Sequence, residues 1–292
     1  MDSPHTTYDR SRFGLSIDFL ITGAVWSIAG IVTAIFVWIL ADIAIAGLPS
    51  ISINFLTEAP RNAGRDGGIF PIILSTLAIL AVTMTVSVPL GVGTAILLSE
   101  WTRAESVYGM LVRRSLDVLA GVPSIVFGLF GNAFFCSYLG LGFSILSGGL
   151  TLSCMVLPIL IRSAEEGFRS VPNEYRTGAA ALGLSRTATL TQLLLPAAIP
   201  GIVVGLVLGI GRALAETAAL IFTSGYVDRT PSSLLDSGRA LSVHIFDMSM
   251  NVAGGDQNAY ASAVVLITML LIINATASWM AHHWLKKRIL VT

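Results

Sequence analysis

Charge is scarce in this chain: 12% of its 292 residues are Asp, Glu, Lys or Arg, about half the share of an ordinary soluble domain. The 17 basic and 17 acidic residues cancel, so no charge excess points to a nucleic acid or another strongly charged partner. Lysine is nearly missing, with Lys286 and Lys287 side by side near the end of the sequence. A phosphate loop of the form G-x-x-x-x-G-K-[ST] needs a lysine, so this chain holds no nucleotide-hydrolysing site of that kind. Cysteine is limited to Cys136 and Cys154, both in apolar stretches. They read as small buried residues, and their spacing supports neither a disulfide nor a metal site. No histidine lies at the centre of an apolar run, which removes the base or ligand set of an intramembrane hydrolase. No catalytic or metal-ligating residue is therefore expected.

Long uncharged runs are abundant. Residues 19–41, 69–99 and 257–285 contain no Asp, Glu, Lys or Arg, and each exceeds the roughly 20 residues with which a helix crosses a bilayer. They show no two-residue alternation and so read as helices. Residues 118–161 are also uncharged, which is long enough for two crossings joined at the Gly-rich stretch 138–149. A further run, 196–224, is interrupted only by Arg212 and Glu216. The expected architecture is an all-α polytopic membrane protein with six spans, at about 18–45, 69–98, 116–137, 145–167, 197–223 and 258–284. The polar start, 1–17, precedes an apolar run too long for the core of a secretory signal, so the first helix is expected to be retained.

Basic residues orient the bundle. With the N-terminus inside, inner segments hold Arg10, Arg12, Arg103, Arg113, Arg114, Arg162, Arg169, Arg176, Arg186, Lys286, Lys287 and Arg288. The outer loops hold Arg61, Arg65, Arg229 and Arg239. Cytoplasmic loops carry the Lys/Arg excess, so both termini are expected in the cytoplasm. The expected divisions are a tail (1–17), a first helix with its outer loop (18–66), a main transmembrane domain (67–285) and a C-terminal tail (286–292). The outer loops, about 46–68 and 224–257, read equally as connectors or as docking surfaces.

The segment 168–196 then stands in the cytoplasm. It holds a helix-prone run from Glu174 to Leu182, closed by Gly183, which suits a left-handed cap. Pro196 and Pro200 follow, where a new helix can start without their missing N–H groups. Nine residues separate Gly183 from Leu193, and Leu195–Pro196 completes the spacing. This pattern resembles the coupling loop of ABC-importer permeases, whose E-A-A, three residues, G, nine residues, I, any residue, L-P signature it follows from the glycine onward. At the front, Thr177, Gly178 and Ala179 stand where E-A-A is expected, so only Ala179 matches. The segments GGIFPIILSTL, VPLGVGTAILLSEW, LAGVPSIVFGLFG, LPILIRSAEEGFRSVP and GRALAETAALIFTSG occur in order between residues 67 and 225. Together they are similar to the phosphate-specific branch of these permeases, and to its A-type rather than its C-type subunit. A C-type subunit, or a permease for molybdate or sulfate, is the alternative.

The resemblance implies a type I importer permease in the bacterial plasma membrane, not itself an enzyme. It implies one homologous permease subunit, two copies of a cytoplasmic ATPase and an external phosphate-binding protein as partners. ATP and Mg would be bound by the ATPase, with no cofactor in this chain. Coupling residues by position are Glu174, Ala179, Ala180, Gly183, Leu195 and Pro196. A carrier driven by protons or sodium would instead work with no ATPase present.

Arg212 and Glu216 are the charges deep in the fifth span. Such a group costs about 2.5–3.5 kcal/mol to insert at a helix centre, and four-residue spacing puts both on one helix face. Gly201, Gly205, Gly209, Ala213 and Thr217 form a row of small residues that lets another helix approach closely. The charges sit about 100° from that row, at the flank of an interface. Arg212 is expected either to contact phosphate in transit, with Glu216 limiting the hold, or to form a structural ion pair with Glu216. Pro123 and its neighbouring glycines should break the third span. The break would expose N–H groups beside the Ser124 hydroxyl as a second anion contact, or serve as a packing kink.

Overall fold

The computed structural model describes residues 12–103 and 106–289. Part of the expected N-terminal tail, with Arg10, and the last three residues of the C-terminal tail lie outside the described residues. The fold is all-α apart from a two-residue antiparallel ribbon, Pro60–Arg61 (β1) with Asp66–Gly67 (β2).

Among the described residues, five helical stretches are long and apolar enough to cross a membrane: Phe19–Ser50, Phe70–Trp101, Ile145–Arg169, Arg186–Ala215 and Asp256–Met280. A bent pair, Val107–Ala120 with Ser124–Tyr138, makes a sixth if counted as one span. The helices are α1 (Arg12–Gly47), α2 (Ile53–Thr57), α3 (Phe70–Ile96), α4 (Val107–Ala120), α5 (Ser124–Gly131) and α6 (Ile145–Arg169). After these come α7 (Asn173–Ala181), α8 (Arg186–Thr189), α9 (Leu195–Ala215), α10 (Ala218–Ile221), α11 (Leu241–Met250) and α12 (Asp256–Ile289).

The bundle is centred on α6, with α3 on one side and α9 on the other. Small residues explain the closeness. A side chain on Gly91 would meet Leu160, and one on Gly149 would meet Val82. Along α9, Gly201 faces Gly167, Gly205 faces Ser163 and Leu160, and Gly209 faces Val156. The small-residue row is thus filled by this chain's own α6. Thr83 donates both to Ile79 O in its own helix and to Gly149 O across the α3–α6 contact, so a buried hydroxyl leaves no unmet group in lipid. The main apolar cluster joins α3 (Ile79, Leu80), α6 (Leu152, Met155, Val156), α9 (Ile210, Leu214) and α10 (Leu220). A second cluster, at the α7 end, joins Ala95, Phe168, Val171, Leu194 and Ala198. α1 is exposed along most of its length and rests on α12.

Three expectations are corrected. The third span does not begin at residue 116: residues 116–120 complete α4, and the chain then turns by 100° into α5. α4 carries Arg113 and Asp117, which pair with Glu165 and Arg162 of α6, so its polar face is held at the bundle's end. Secondly, the helical stretch of the fifth span does not begin at residue 197, although Pro196 does stand in the first turn of α9 as expected. The helical stretch starts at Arg186, and a π turn, Leu190–Leu194, precedes α9. A π turn widens the helix where the proline ring would crowd the preceding turn. Thirdly, α9 ends at Ala215, and Glu216 is extended (φ −75°, ψ 129°), so the span is broken before residue 223.

Candidate functional site

Charged groups gather at the broken end of α9 and at the base where α3, α6 and α7 meet.

Arg212 lies in the last turn of α9, where a cation is favoured by the helix dipole. It is half-buried. Its Nε is buried and has no hydrogen-bond partner. Among the described residues no ion pair joins it to Glu216, which the helix break carries off the shared face. Glu216 is engaged elsewhere: its Oε1 accepts from Ala219 N at 3.2 Å, capping α10, and its carbonyl accepts from Ser242 Oγ at 2.5 Å. The helix break thus separates two charges that a continuous helix would have put on one face. α10 packs its Ala219 against Gly128 of α5, and Asn132 Nδ2 donates to Phe222 O at 2.8 Å. Ser124, half-buried, opens α5 directly after the 100° turn. Its neighbour Val122 packs in the same apolar cluster as Ala213, next to Arg212, but no hydrogen bond joins Ser124 to Arg212 or Glu216.

At the other end, α7 is capped by Gly183 at φ +70°. Leu184 N donates to Ala179 O and Gly183 N to Ala180 O, the paired bonds of a Schellman turn. Ala179 faces inward, 2% exposed, while Glu174 and Ala180 face out. Leu195 and Pro196 are half-buried at the start of α9. Arg176, which the sequence marked only as one of the inner basic residues, fixes α7 in place. Its Nη2 and Nε donate to Glu100 at 2.6 and 3.1 Å; Nη2 also donates to Phe168 O, and Nη1 to Val171 O. Those bonds to Glu100 raise the Arg176 pKa above its ordinary value.

Glu165 was also missed. It is 5% exposed within α6 and pairs with Arg113 at 2.8 Å and Arg169 at 2.9 Å. The i,i+4 spacing to Arg169 was visible in the sequence; the bond to Arg113, 52 residues away, was not.

A model of the family described as the binding-protein-dependent transport system inner membrane component matches residues 87–290. The chain belongs to that family. This permease is 33% identical over 285 residues to the probable ABC transporter permease protein YqgI of Bacillus subtilis (strain 168), covering 92% of this chain and 97% of that one. It is 30% identical over 218 residues to the phosphate transport system permease protein PstA of Haemophilus influenzae (strain ATCC 51907 / DSM 11121 / KW20 / Rd), covering 75% and 73%. In fold it matches a chain of the bacterial alginate ABC transporter solved with its pentasaccharide-bound periplasmic protein, at TM-score 0.69 and 15% identity over 95% of this chain and 99% of that one. It also matches a chain of the MetNI methionine ABC transporter, at TM-score 0.55 and 15% identity over 74% and 94%. The permease therefore has the type I ABC importer permease fold and is a multi-pass inner-membrane component.

Between the spans, α11 carries His244, which is fully buried. Burial holds its imidazole neutral and lowers its pKa from 6.5 to about 4, with Arg239 adding to the shift and Asp247 opposing it. The unfolded chain takes up a proton near 6.5 that the folded chain refuses until about 4. This contribution to stability is intact above about 6.5 and is lost as pH falls towards 4, by about 3 kcal/mol in all. Thermal unfolding in detergent from pH 7 to pH 4 should show that loss, and His244→Gln should flatten it. An equal slope in the variant would remove His244 as the cause.

Proposed function

We propose that this permease is the A-type subunit of an ATP-driven importer for inorganic phosphate. The observation that carries the reading is Arg212, a half-buried guanidinium at a helix break whose Nε has no hydrogen-bond partner among the described residues. An Arg offers planar donors that match phosphate oxygens, and a guanidinium left unmatched inside a bundle is costly unless a passing anion meets it. The identity to the Haemophilus phosphate permease supports the choice of anion. Ser124 and the break before α5 lie beside the same route, and Glu216, by shaping the α9–α10 break, keeps Arg212 unneutralised.

The excess of arginine at the α7 end supports a cytoplasmic position for that end and for both termini. There the segment 168–196 serves as the coupling loop of the transmembrane domain 67–285, offering Glu174 and Ala180 to a PstB-like ATPase present in two copies. Gly183 turns the chain back, and Leu195 and Pro196 pass the load into α9. Gly201, Gly205 and Gly209 hold α9 against α6 so that the two move together. A PstC-like permease completes the pathway, and a PstS-like protein delivers phosphate from outside. ATP and Mg belong to the ATPase. The departure at Thr177 and Gly178 leaves the outer face of α7 without the usual acid, and Glu174, one turn earlier, is the acid it does present.

Proteoliposomes holding the four kinds of subunit test this. Labelled phosphate should accumulate only with ATP, and excess sulfate or molybdate should not compete. Competition by either, or uptake without the ATPase, would overturn the reading.

A further inference from the structure

Glu100 and Arg176 sit where two weak points of the helical framework meet. Glu100 belongs to a π turn, Leu97–Trp101, that ends α3. A second π turn, Leu190–Leu194, precedes α9. Such turns have wider, less regular bonding than the α-helix and mark places where a helix bends or shifts register. Both turns line one hollow of about 330 Å³, together with Arg176 and Ala180 of α7 and Arg186 of α8. The hollow gives α7 room to move against the turns.

Arg176 is the link across that room. Its guanidinium grips both oxygens of Glu100, at 2.6 and 3.1 Å, and the carbonyls of Phe168 at 3.0 Å and Val171 at 2.9 Å. One side chain therefore ties α7 to the end of α6 and to the π turn of α3. A bidentate, charge-assisted pair resists shear in a way that a single hydrogen bond does not. Phe168 of α6, whose carbonyl Arg176 holds, forms one close-packed cluster with Ala95 of α3, Leu194 of the second π turn and Ala198 of α9. Close-packed groups transmit displacement rather than absorb it.

We propose that the Glu100–Arg176 pair is the joint through which displacement of α7 reaches the π turns and so changes the tilt of α3 and α9. Both are positioning residues, and neither touches the transported anion. The inference rests on the reading of α7 as the ATPase contact.

The test uses the full reconstituted complex with Glu100→Gln, which keeps the shape and loses the charge, and Arg176→Lys, which keeps the charge and loses the fork. Each should retain the ATPase and hydrolyse ATP near the wild-type rate. Phosphate moved per ATP should fall about tenfold, within the usual range of coupling between sites. The double variant should be no worse than either single one, because both remove one joint. Spin labels at positions 101 and 184 supply a readout free of substrate. Their separation should stay fixed through the ATP cycle in the wild type and broaden in Glu100→Gln. A wild-type phosphate-to-ATP ratio in both single variants, with unbroadened distances, would overturn the joint. So would a loss of transport fully accounted for by lost ATPase. A wild-type complex that moves no phosphate would sink the substrate assignment alone, since the label distances still judge the joint.

Discussion

Arg212→Ala is expected to lower ATP-driven phosphate uptake by about a hundredfold while the complex still assembles. Removing one member of a desolvated, hydrogen-bonded charge contact costs about 2–5 kcal/mol, and about 3 kcal/mol corresponds to that loss of rate. Assembly should survive because the guanidinium is not holding the fold together. Its Nε has no partner, and Glu216, the one acid close in sequence, is committed to the Ala219 amide. Alanine also removes the cost of placing a cation deep in a span. Arg212→Lys separates charge from geometry. It keeps a point charge and loses the planar fork, so its uptake should fall between the wild type and alanine. The measurement is initial uptake in proteoliposomes, corrected for the amount of assembled complex. Wild-type uptake in Arg212→Ala would take this residue out of the pathway, and a complex that falls apart would make it structural.

The separation of Arg212 from Glu216 shows where reading the sequence stops. Charge-free runs located α3, α6, α9 and α12, because a helix in lipid must be long and apolar whatever it packs against. The Ser144 cap, whose Oγ accepts from Ser147 N, starts α6 at residue 145, where the Gly-rich turn before it had placed the span. Gly183 was legible for a similar reason: a left-handed cap is a local requirement. The break at Glu216 was not, since nothing local to GRALAETAAL forbids a continuous helix. It exists because α10 turns to pack on α5 and Ser242 takes up the freed carbonyl. The small-residue row was visible as a seam, but its partner was not, and that partner is Gly167, Ser163 and Val156 of the same chain. α11, within what looked like a polar outer loop, is buried through Leu241, Val243 and His244. Leu241 N donates to Thr76 Oγ1 at 2.8 Å, a contact across 165 residues that no local pattern announces.

Glu165→Ala is expected to be the most destabilising single change at the base of the bundle, by about 3–5 kcal/mol. The size follows from what is left behind. Arg113 has a side chain 17% exposed and gives its Nε to Glu165, while its Nη2 donates to Leu98 O at 2.9 Å. Without the carboxylate it becomes a largely buried cation facing one carbonyl. Arg169, 47% exposed, keeps its water and the end of α6, and suffers little. The reverse change is therefore expected to be milder: Arg113→Ala leaves Glu165 with Arg169 as a counter-charge. Glu165→Gln should lie between them, keeping the acceptor at Oε1 while losing the charge. This order, Glu165→Ala worst, then Glu165→Gln, then Arg113→Ala, separates an ion-pair hub from simple loss of packing, under which the larger arginine deletion would cost most. Thermal unfolding of the purified permease measures it at neutral pH. A wild-type midpoint for Glu165→Ala, or the opposite order, would mean that α4 is held to α6 by the apolar contact of Leu116 with Ile161 and Leu98 and not by charge.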